Sequence, residues 1–218
     1  MRKHFVKLTF PAAALIAASL TPAYALPTLT LDDGVNPVIT ITDGGLGDAN
    51  PLAGAVTFIG TLGVWTLNVS TGETKPVVGT AAVPELDLNT IDTSSAGGTL
   101  KIKFSESGFG PTAGSVFSTI GGTQGNGSVI FKVWQNSTLL TTIGSLSGTP
   151  FSGSASAALI GTSYSLTEEV DITHSAAGST SLDANANAAP DSGMSLLLLG
   201  MGLAALGAFA ISRKQVLA

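Results

Sequence analysis

Apolar and polar side chains alternate along most of the middle of the chain. Between Thr99 and Phe104, the apolar residues Leu100, Ile102 and Phe104 share one face, and two lysines occupy the other. Alternation with a period of two is typical of a β-strand that is buried on one side only. No long stretch between residues 26 and 188 has the 3.6-residue spacing of an amphipathic helix.

Gly, Asn-Gly and Ser-Gly positions divide the alternating pattern into short segments, as turns do between strands. Many short antiparallel strands with one apolar face each are typical of two sheets packed face to face. We therefore predict an all-β fold, an antiparallel β-sandwich. Nine segments fit strands, namely residues 37–42, 55–59, 64–69, 85–91, 99–104, 128–134, 137–143, 154–160 and 164–173.

Two details of the pattern predict local structure. Residues 60–63, Gly-Thr-Leu-Gly, separate two strands whose inward positions change parity, which predicts a hairpin and places Trp65 in the core. Trp134 is interpreted in the same way, as a core or half-buried residue. Glu168 falls among apolar residues of its strand, so the sequence predicts a bulge at Glu168-Glu169 or an edge position, because an unpaired buried carboxylate is costly.

The first 25 residues have a different pattern. Three basic residues precede an apolar stretch over residues 12–20, and Ala23 and Ala25 form a small-x-small cleavage site. This is the plan of a secretory signal peptide, so we expect the mature chain to begin at Leu26. The alternative, an N-terminal transmembrane helix, is disfavoured because the apolar stretch is short and prolines flank it.

The C-terminal region contains a second apolar segment. Residues 193–212 carry no charge, and as a helix they are long enough to cross a bilayer. Arg213 and Lys214 follow directly and would stay on the cytoplasmic side if the signal peptide exports the middle of the chain. The sequence therefore predicts a single transmembrane helix over residues 193–212.

The residues before this segment make the tail more specific. Ala189 is followed by Pro190, Asp191, Ser192 and Gly193, and the tail ends with the basic residue Arg213 and its neighbour. This order resembles the C-terminal sorting signal of PEP-CTERM proteins, in its Val-Pro-Asp-Ser-Gly variant. Ala189 replaces the usual Val, and the basic end is shorter than usual. The resemblance implies export in a Gram-negative bacterium, processing by an exosortase-type enzyme, and a protein that is anchored in the inner membrane in transit before it reaches the cell surface or extracellular matrix.

Three other interpretations fit parts of the tail. A permanent membrane anchor needs only the apolar segment and the basic end. A sortase signal needs Leu-Pro-x-Thr-Gly, and a GPI signal ends in apolar residues without a basic stop. The predicted organisation is a signal peptide at 1–25, a β-sandwich ectodomain at 26–188 and a sorting signal at 189–218.

Charge and composition exclude several classes of partner. The 218 residues include no cysteine, so disulfides and thiolate metal sites are excluded. Residues 26–188 contain four lysines and thirteen acidic residues, hence a net charge of −9. A surface of this charge repels phosphate backbones, so nucleic acid is not an expected partner.

Little in the sequence points to catalysis. His174 is the only histidine after the signal peptide, and we expect it at the surface of a strand end. No zinc-protease, nucleophile-elbow or phosphate-loop motif occurs. The oxygen-rich segment from Asp43 to Asn50 lacks the spacing of a calcium loop and is interpreted as a turn, so no cofactor or metal is assigned.

Three functional hypotheses remain. The family resemblance implies a non-enzymatic surface or matrix protein that is associated with exopolysaccharide or biofilm, with signal peptidase and an exosortase-type enzyme as processing partners. A carbohydrate-binding or adhesive module is the alternative, by analogy with other β-sandwiches. A secreted hydrolase is the third, and no group of residues in the sequence supports it.

Overall fold

The structure is a computed structural model that describes residues 25–111 and 114–190 and the single residue Leu199. Within the two long ranges every regular element is a strand. The strands are β1 (Thr28–Asp32), β2 (Ile39–Thr42), β3 (Ala55–Leu62), β4 (Trp65–Glu73), β5 (Glu85–Ser94), β6 (Gly98–Phe109), β7 (Gly114–Gln124), β8 (Gly127–Gln135), β9 (Thr138–Leu146), β10 (Phe151–Ala158), β11 (Tyr164–His174) and β12 (Gly178–Pro190).

The strands form two six-stranded antiparallel sheets. Sheet A has the order β2-β1-β6-β11-β8-β9, and sheet B has the order β10-β7-β12-β5-β4-β3. The inner faces of both sheets contribute to one hydrophobic core. The prediction of an all-β antiparallel fold is therefore confirmed for the described residues.

Alternation of side chains along each strand builds this core. Leu100, Ile102 and Phe104 of β6 are fully buried, as are Val170 and Ile172 of the neighbouring β11. Burying each such side chain contributes roughly 1.5–3 kcal/mol relative to leaving it in water. The sheets approach so closely near Phe104 that a Cβ on the opposite Gly72 would overlap the Phe104 ring, which explains the glycine near the end of β4.

All nine predicted strands correspond to observed strands, and three strands were missed. The missed strands are β1, β7 and β12. In the second half of β12 the inward positions Ala184, Ala186 and Ala188 are alanines, and the outward positions include Asn185 and Asn187, which have low β-propensity. Two-residue alternation is nevertheless present in β12, and it is the signal that identifies the strand.

The predicted hairpin is confirmed, whereas the predicted bulge is wrong. β3 and β4 pair around a turn at Gly63 and Val64, and Trp65 is 1% exposed. β11 is a central strand, and it pairs without a register shift on both sides of Glu168. Glu168 therefore points into the core, where it lies near the small residue Ala186 of β12.

The two ends of the chain lie largely outside the described residues. This applies to the predicted signal peptide before residue 25, to the sorting residues Asp191, Ser192 and Gly193, and to Arg213. β12 continues to Pro190, two residues beyond the predicted domain end, and Ala189 and Pro190 pair with Ser115 and Gly114. Among the described residues, no helix has the length and apolarity needed to span a membrane.

Candidate binding surfaces

The outer face of sheet B is lined by polar side chains in register. Asn185 of β12 lies between Thr119 of β7 and Asp87 of β5. One row further along, Asn187 lies between Phe117 and Glu85, and its neighbour Asn185 donates a hydrogen bond to Glu85 (3.2 Å). We call the outward side chains of β4, β5, β7 and β12 the acidic face, because they include four carboxylates and no lysine.

The four carboxylates of the acidic face lie close together. They are Glu73, Glu85, Asp87 and Asp183, and Asp87 is opposite Glu73 in the sheet. Partial burial, the hydrogen bond and negative charge of Asp183, and the charges of Glu73 and Glu85 together raise the pKa of Asp87 to about 7. Near neutral pH, Asp87 therefore exchanges between a proton-donating and a proton-accepting form.

One exposed aromatic ring lies on the acidic face, two strands away from Glu85. Phe117 is 45% exposed, and its cross-strand neighbours are Asn187 on one side and Ser156 on the other. An aromatic ring flanked by amide and hydroxyl groups offers both an apolar surface and hydrogen-bond partners. The sequence did not identify this arrangement, because β7 and β12 were not predicted and their register is a property of the sheet.

The outer face of sheet A has a different electrostatic structure. Glu169 lies directly between Lys103 and Lys132 across three strands, and each lysine is 2.9 Å from one of its carboxylate oxygens. Lys132 also pairs with Asp171. Burial raises the pKa of Glu169, but the hydrogen bonds and charges of the two lysines outweigh burial, so the pKa lies below its usual value.

A cleft of about 600 Å³ opens at one end of the sandwich. Three charged residues line it, namely Asp43, Lys75 and Glu106. Lys75 Nζ is 2.6 Å from the carbonyl oxygen of Ser107, 3.3 Å from Glu106 Oε1 and 4.2 Å from the centre of the Phe109 ring. The polar groups of the cleft are thus largely engaged with one another, and the ion pair stabilises the end of the core.

Glu106 keeps a perturbed pKa despite this ion pair. Burial raises its pKa, whereas the backbone N–H of Ser107 and the charge of Lys75 act in the opposite direction without cancelling the effect. Asp43 accepts a hydrogen bond from the backbone N–H of Gly54 (2.8 Å). The remaining cleft walls are mainly alanine, proline and glycine, and they present few groups for polar recognition.

His174 is buried, contrary to the predicted surface position. It is 2% exposed and packs against Trp65, with ring centres 4.8 Å apart. Its Nδ1 is 2.7 Å from Ser94 Oγ, and its Nε2 is 2.8 Å from Thr180 Oγ1, so both ring nitrogens are held by hydroxyl groups. Burial lowers the pKa of His174. The parity of His174 matches the apolar residues of β11, and this signal indicates an inward side chain.

Two carboxylates are buried in the core beneath the acidic face. Ser70, Thr90 and Asp92 form a hydrogen-bonded chain, with Ser70 Oγ 2.7 Å from Thr90 Oγ1 and Thr90 donating to Asp92 (2.8 Å). Burial raises the pKa of Asp92 to about 7, although the Thr90 hydrogen bond opposes the shift. The pKa of Glu168 is raised well above its usual value by burial and by the charges of Asp87 and Asp183.

The segment from Asp43 to Asn50 is a turn, as predicted. Asp48 accepts hydrogen bonds from the backbone N–H groups of Gly44, Asn50 and Thr57, each at 2.9 Å. The two aspartates of this loop, Asp43 and Asp48, therefore act as hydrogen-bond acceptors for backbone N–H groups. Within the described residues, no group of three or more His, Asp or Glu side chains has a metal-binding arrangement.

Comparisons with known proteins add little to this picture. No family model matches the chain, and no curated protein is similar to it in sequence. One solved structure with partial similarity is TmCBM61 in complex with β-1,4-galactotriose, with 10% sequence identity and a TM-score of 0.35. The similar region covers 59% of this chain and 90% of that chain. A likeness of this size carries no argument about function.

Proposed function

We propose that the protein is a non-enzymatic, exported surface or matrix component that holds polysaccharide on its acidic face. The observation that carries this proposal is the exposed Phe117 ring with Asn187 directly beside it. A sugar ring has an apolar face and a rim of hydroxyl groups, so it suits an aromatic surface bordered by amides and carboxylates.

The acidic face offers hydrogen-bond groups of both kinds. The amides of Asn185 and Asn187 donate and accept, and Asp183 accepts when ionised. Asp87, with a pKa of about 7, donates in one protonation state and accepts in the other. Because sugar hydroxyls also act as both donors and acceptors, this set suits a neutral polysaccharide better than an acidic one, which the four carboxylates would repel.

Non-enzymatic function is supported by the state of His174. A histidine base must reach its substrate, and His174 is enclosed in the core with both ring nitrogens held by Ser94 and Thr180. The two core carboxylates, Asp92 and Glu168, are also inaccessible. Because both side chains lie inside the sandwich, a substrate cannot reach them.

Delivery to the surface rests on the two ends of the chain. We infer that signal peptidase cuts after Ala25 and that an exosortase-type enzyme processes the tail at the motif that begins with Pro190. Intact-mass measurement of the mature protein from a host with exosortase tests this: the mass should lack residues 1–25 and the segment after the motif. A mass that includes residues 196–218 would instead indicate a permanent anchor.

Binding to polysaccharide is tested with a panel of immobilised neutral glycans. The Phe117→Ala variant should bind about tenfold more weakly than the parent, which corresponds to about 1.4 kcal/mol. Asn187→Ala removes one or two hydrogen bonds and should weaken binding by a factor of about three to ten.

Leu139→Ala is the matched control for the glycan experiment. Leu139 is 45% exposed, as is Phe117, but it lies on the other sheet. The control should bind like the parent. If Phe117→Ala and Leu139→Ala bind equally well, the acidic face is not the binding surface, and turnover of a glycan by the parent would contradict the non-enzymatic assignment.

A further inference from the structure

Sheets A and B have four edge strands, and three of them are protected against pairing with another chain. β2 is only four residues long. β3 has a register shift against β4, and β9 has two against β8. Short length and irregular backbone are among the means by which an edge strand avoids strand addition.

β10 is the unprotected edge. All eight of its residues pair with β7 in one unbroken register, from Phe151 opposite Gly122 to Ala158 opposite Ser115. The strand contains no proline and no charged residue, and its outward side chains are the exposed residues Ser152, Ser154, Ser156 and Ala158. Ile143 of β9 packs against the inward Gly153 of β10, but among the described residues β10 has no strand partner besides β7, so the backbone groups of its other edge are unpaired by any strand.

Charge argues that the partner of β10 is a second copy of this chain. Residues 133–167 carry no charged side chain, whereas residues 26–188 have a net charge of −9. Two copies therefore repel each other at most orientations, and the repulsion is smallest where β10 meets β10. A two-fold axis also makes the contact self-complementary, because an antiparallel strand can pair with its own copy.

We propose that β10 pairs antiparallel with β10 of a second copy and joins the two B sheets into one twelve-stranded sheet. The register that keeps serines on the outer face places Ser154 opposite its own copy and Ser152 opposite Ser156. In this register the seven residues from Phe151 to Ala157 face their copies and provide about six to eight intermolecular main-chain hydrogen bonds, so the dimer is weak and is favoured by crowding on a surface.

This pairing does not depend on polysaccharide binding. If both occur, the Phe117 residues of the two copies are about 14 Å apart across the sheet and about 13 Å apart along it, because Phe117 lies opposite Ser156 and Ser156 would lie opposite Ser152 of the other copy. The two rings are then about 20 Å apart on one continuous face. A single polysaccharide chain would then contact both rings, and avidity would follow from the assembly.

Disulfide trapping in the full chain tests the register. The chain has no cysteine, so Ser154→Cys introduces one thiol per copy. Residues that face each other across an antiparallel pair have Cβ atoms about 4.5–5.5 Å apart, which a small backbone adjustment brings into disulfide range, and we expect cross-linking about tenfold faster than in the control. The control is Thr40→Cys, an exposed position on the edge strand β2. Equal rates for the two variants would overturn the proposal.

Charge exchange tests whether the partner is a second copy. Two full-length chains with different affinity tags are co-expressed, and copurification of one with the other is measured. Ser154→Lys with itself and Ser154→Glu with itself should copurify less than the parent, and the mixed pair should recover the parent level. Copurification that is the same for the like-charged and the mixed pairs would contradict pairing through β10.

Discussion

The two outer faces of this sandwich treat carboxylates in opposite ways. On sheet A, Glu169 lies between Lys103 and Lys132 and has a lowered pKa. On sheet B, Asp87 faces Glu73 and Asp183 without a lysine and has a pKa raised to about 7. Both faces belong to the same pair of antiparallel sheets, so the difference arises from the placement of four lysines among the described residues.

The comparison indicates what each face contributes. Lys101, Lys103 and Lys132 all lie on the outer face of sheet A, where Lys103 and Lys132 form ion pairs with the neighbouring acids. The acidic face keeps its carboxylates unneutralised, which costs stability through repulsion and partial desolvation. Unpaired carboxylates lower the stability of the fold on the acidic face but not on sheet A. Such a local loss of stability is what a binding role for the acidic face would explain.

The largest expected effect comes from breaking the sheet A network at Lys132. Lys132→Met leaves the nearly buried Glu169 with Lys103 alone and leaves Asp171 unpaired, so the free energy of unfolding should fall by about 2–3 kcal/mol. Urea denaturation of residues 26–190 at pH 7 measures the change.

Lys101→Met is the control for the Lys132 experiment. Lys101 lies on the same face but makes no ion pair with the described residues. This variant should change the free energy of unfolding by less than about 0.5 kcal/mol. Equal losses for the two variants would show that the network does not stabilise sheet A beyond ordinary surface charge.

A smaller effect, with opposite signs on the two faces, is expected from pH. The raised pKa of Asp87 means that its ionisation disfavours the folded state, so Asp87→Asn should stabilise the protein above about pH 7, and the gain should vanish as the pH falls toward 4. Because Asp87 is partly exposed, we expect about 1 kcal/mol or less. Denaturation curves of variant and parent at pH 5 and 8 measure this gain.

Glu169→Gln should show the reverse dependence. The lowered pKa of Glu169 stabilises the folded state above the unfolded pKa of about 4.3. The variant should therefore be less stable than the parent at neutral pH, and the difference should shrink as the pH falls through the folded pKa. If the free energies of unfolding of parent and variant differ by the same amount at every pH from 3 to 7, the lysines do not stabilise the ionised form of Glu169.

Alternation along the sequence identified β6 but not β12, and the two strands differ in the size of their inward side chains. Alternation in β6 is evident because large side chains occupy one face. In β12 the inward residues Ala184 and Ala186 are small, and they lie where the second sheet places Glu168. The alanines therefore leave room for a side chain of another strand, and the local sequence pattern of β12 does not reveal this.

The candidate binding surface was harder to predict than the fold. Phe117 and Asn187 are 70 positions apart, and only the β7–β12 register brings them together. His174 shows a different limit: its parity indicated an inward side chain, but the partners that make burial possible, Ser94 and Thr180, come from the other sheet. Sequence reasoning could identify which side of a strand is buried, but not which polar groups meet there.

The smallest expected effect is the response of stability to salt. Raising the sodium chloride concentration from about 0.01 M to about 1 M shortens the Debye length from about 30 Å to about 3 Å. Screening relieves repulsion on the acidic face more than it weakens the partly enclosed ion pairs of sheet A, so salt should stabilise the parent by about 1 kcal/mol or less. Asp183→Asn removes one charge from the acidic face and should reduce this gain. Asp32→Asn, on the balanced face opposite Lys101, should not reduce it. Equal salt responses in the two variants would show that the carboxylates of sheet B do not repel one another enough to affect folding.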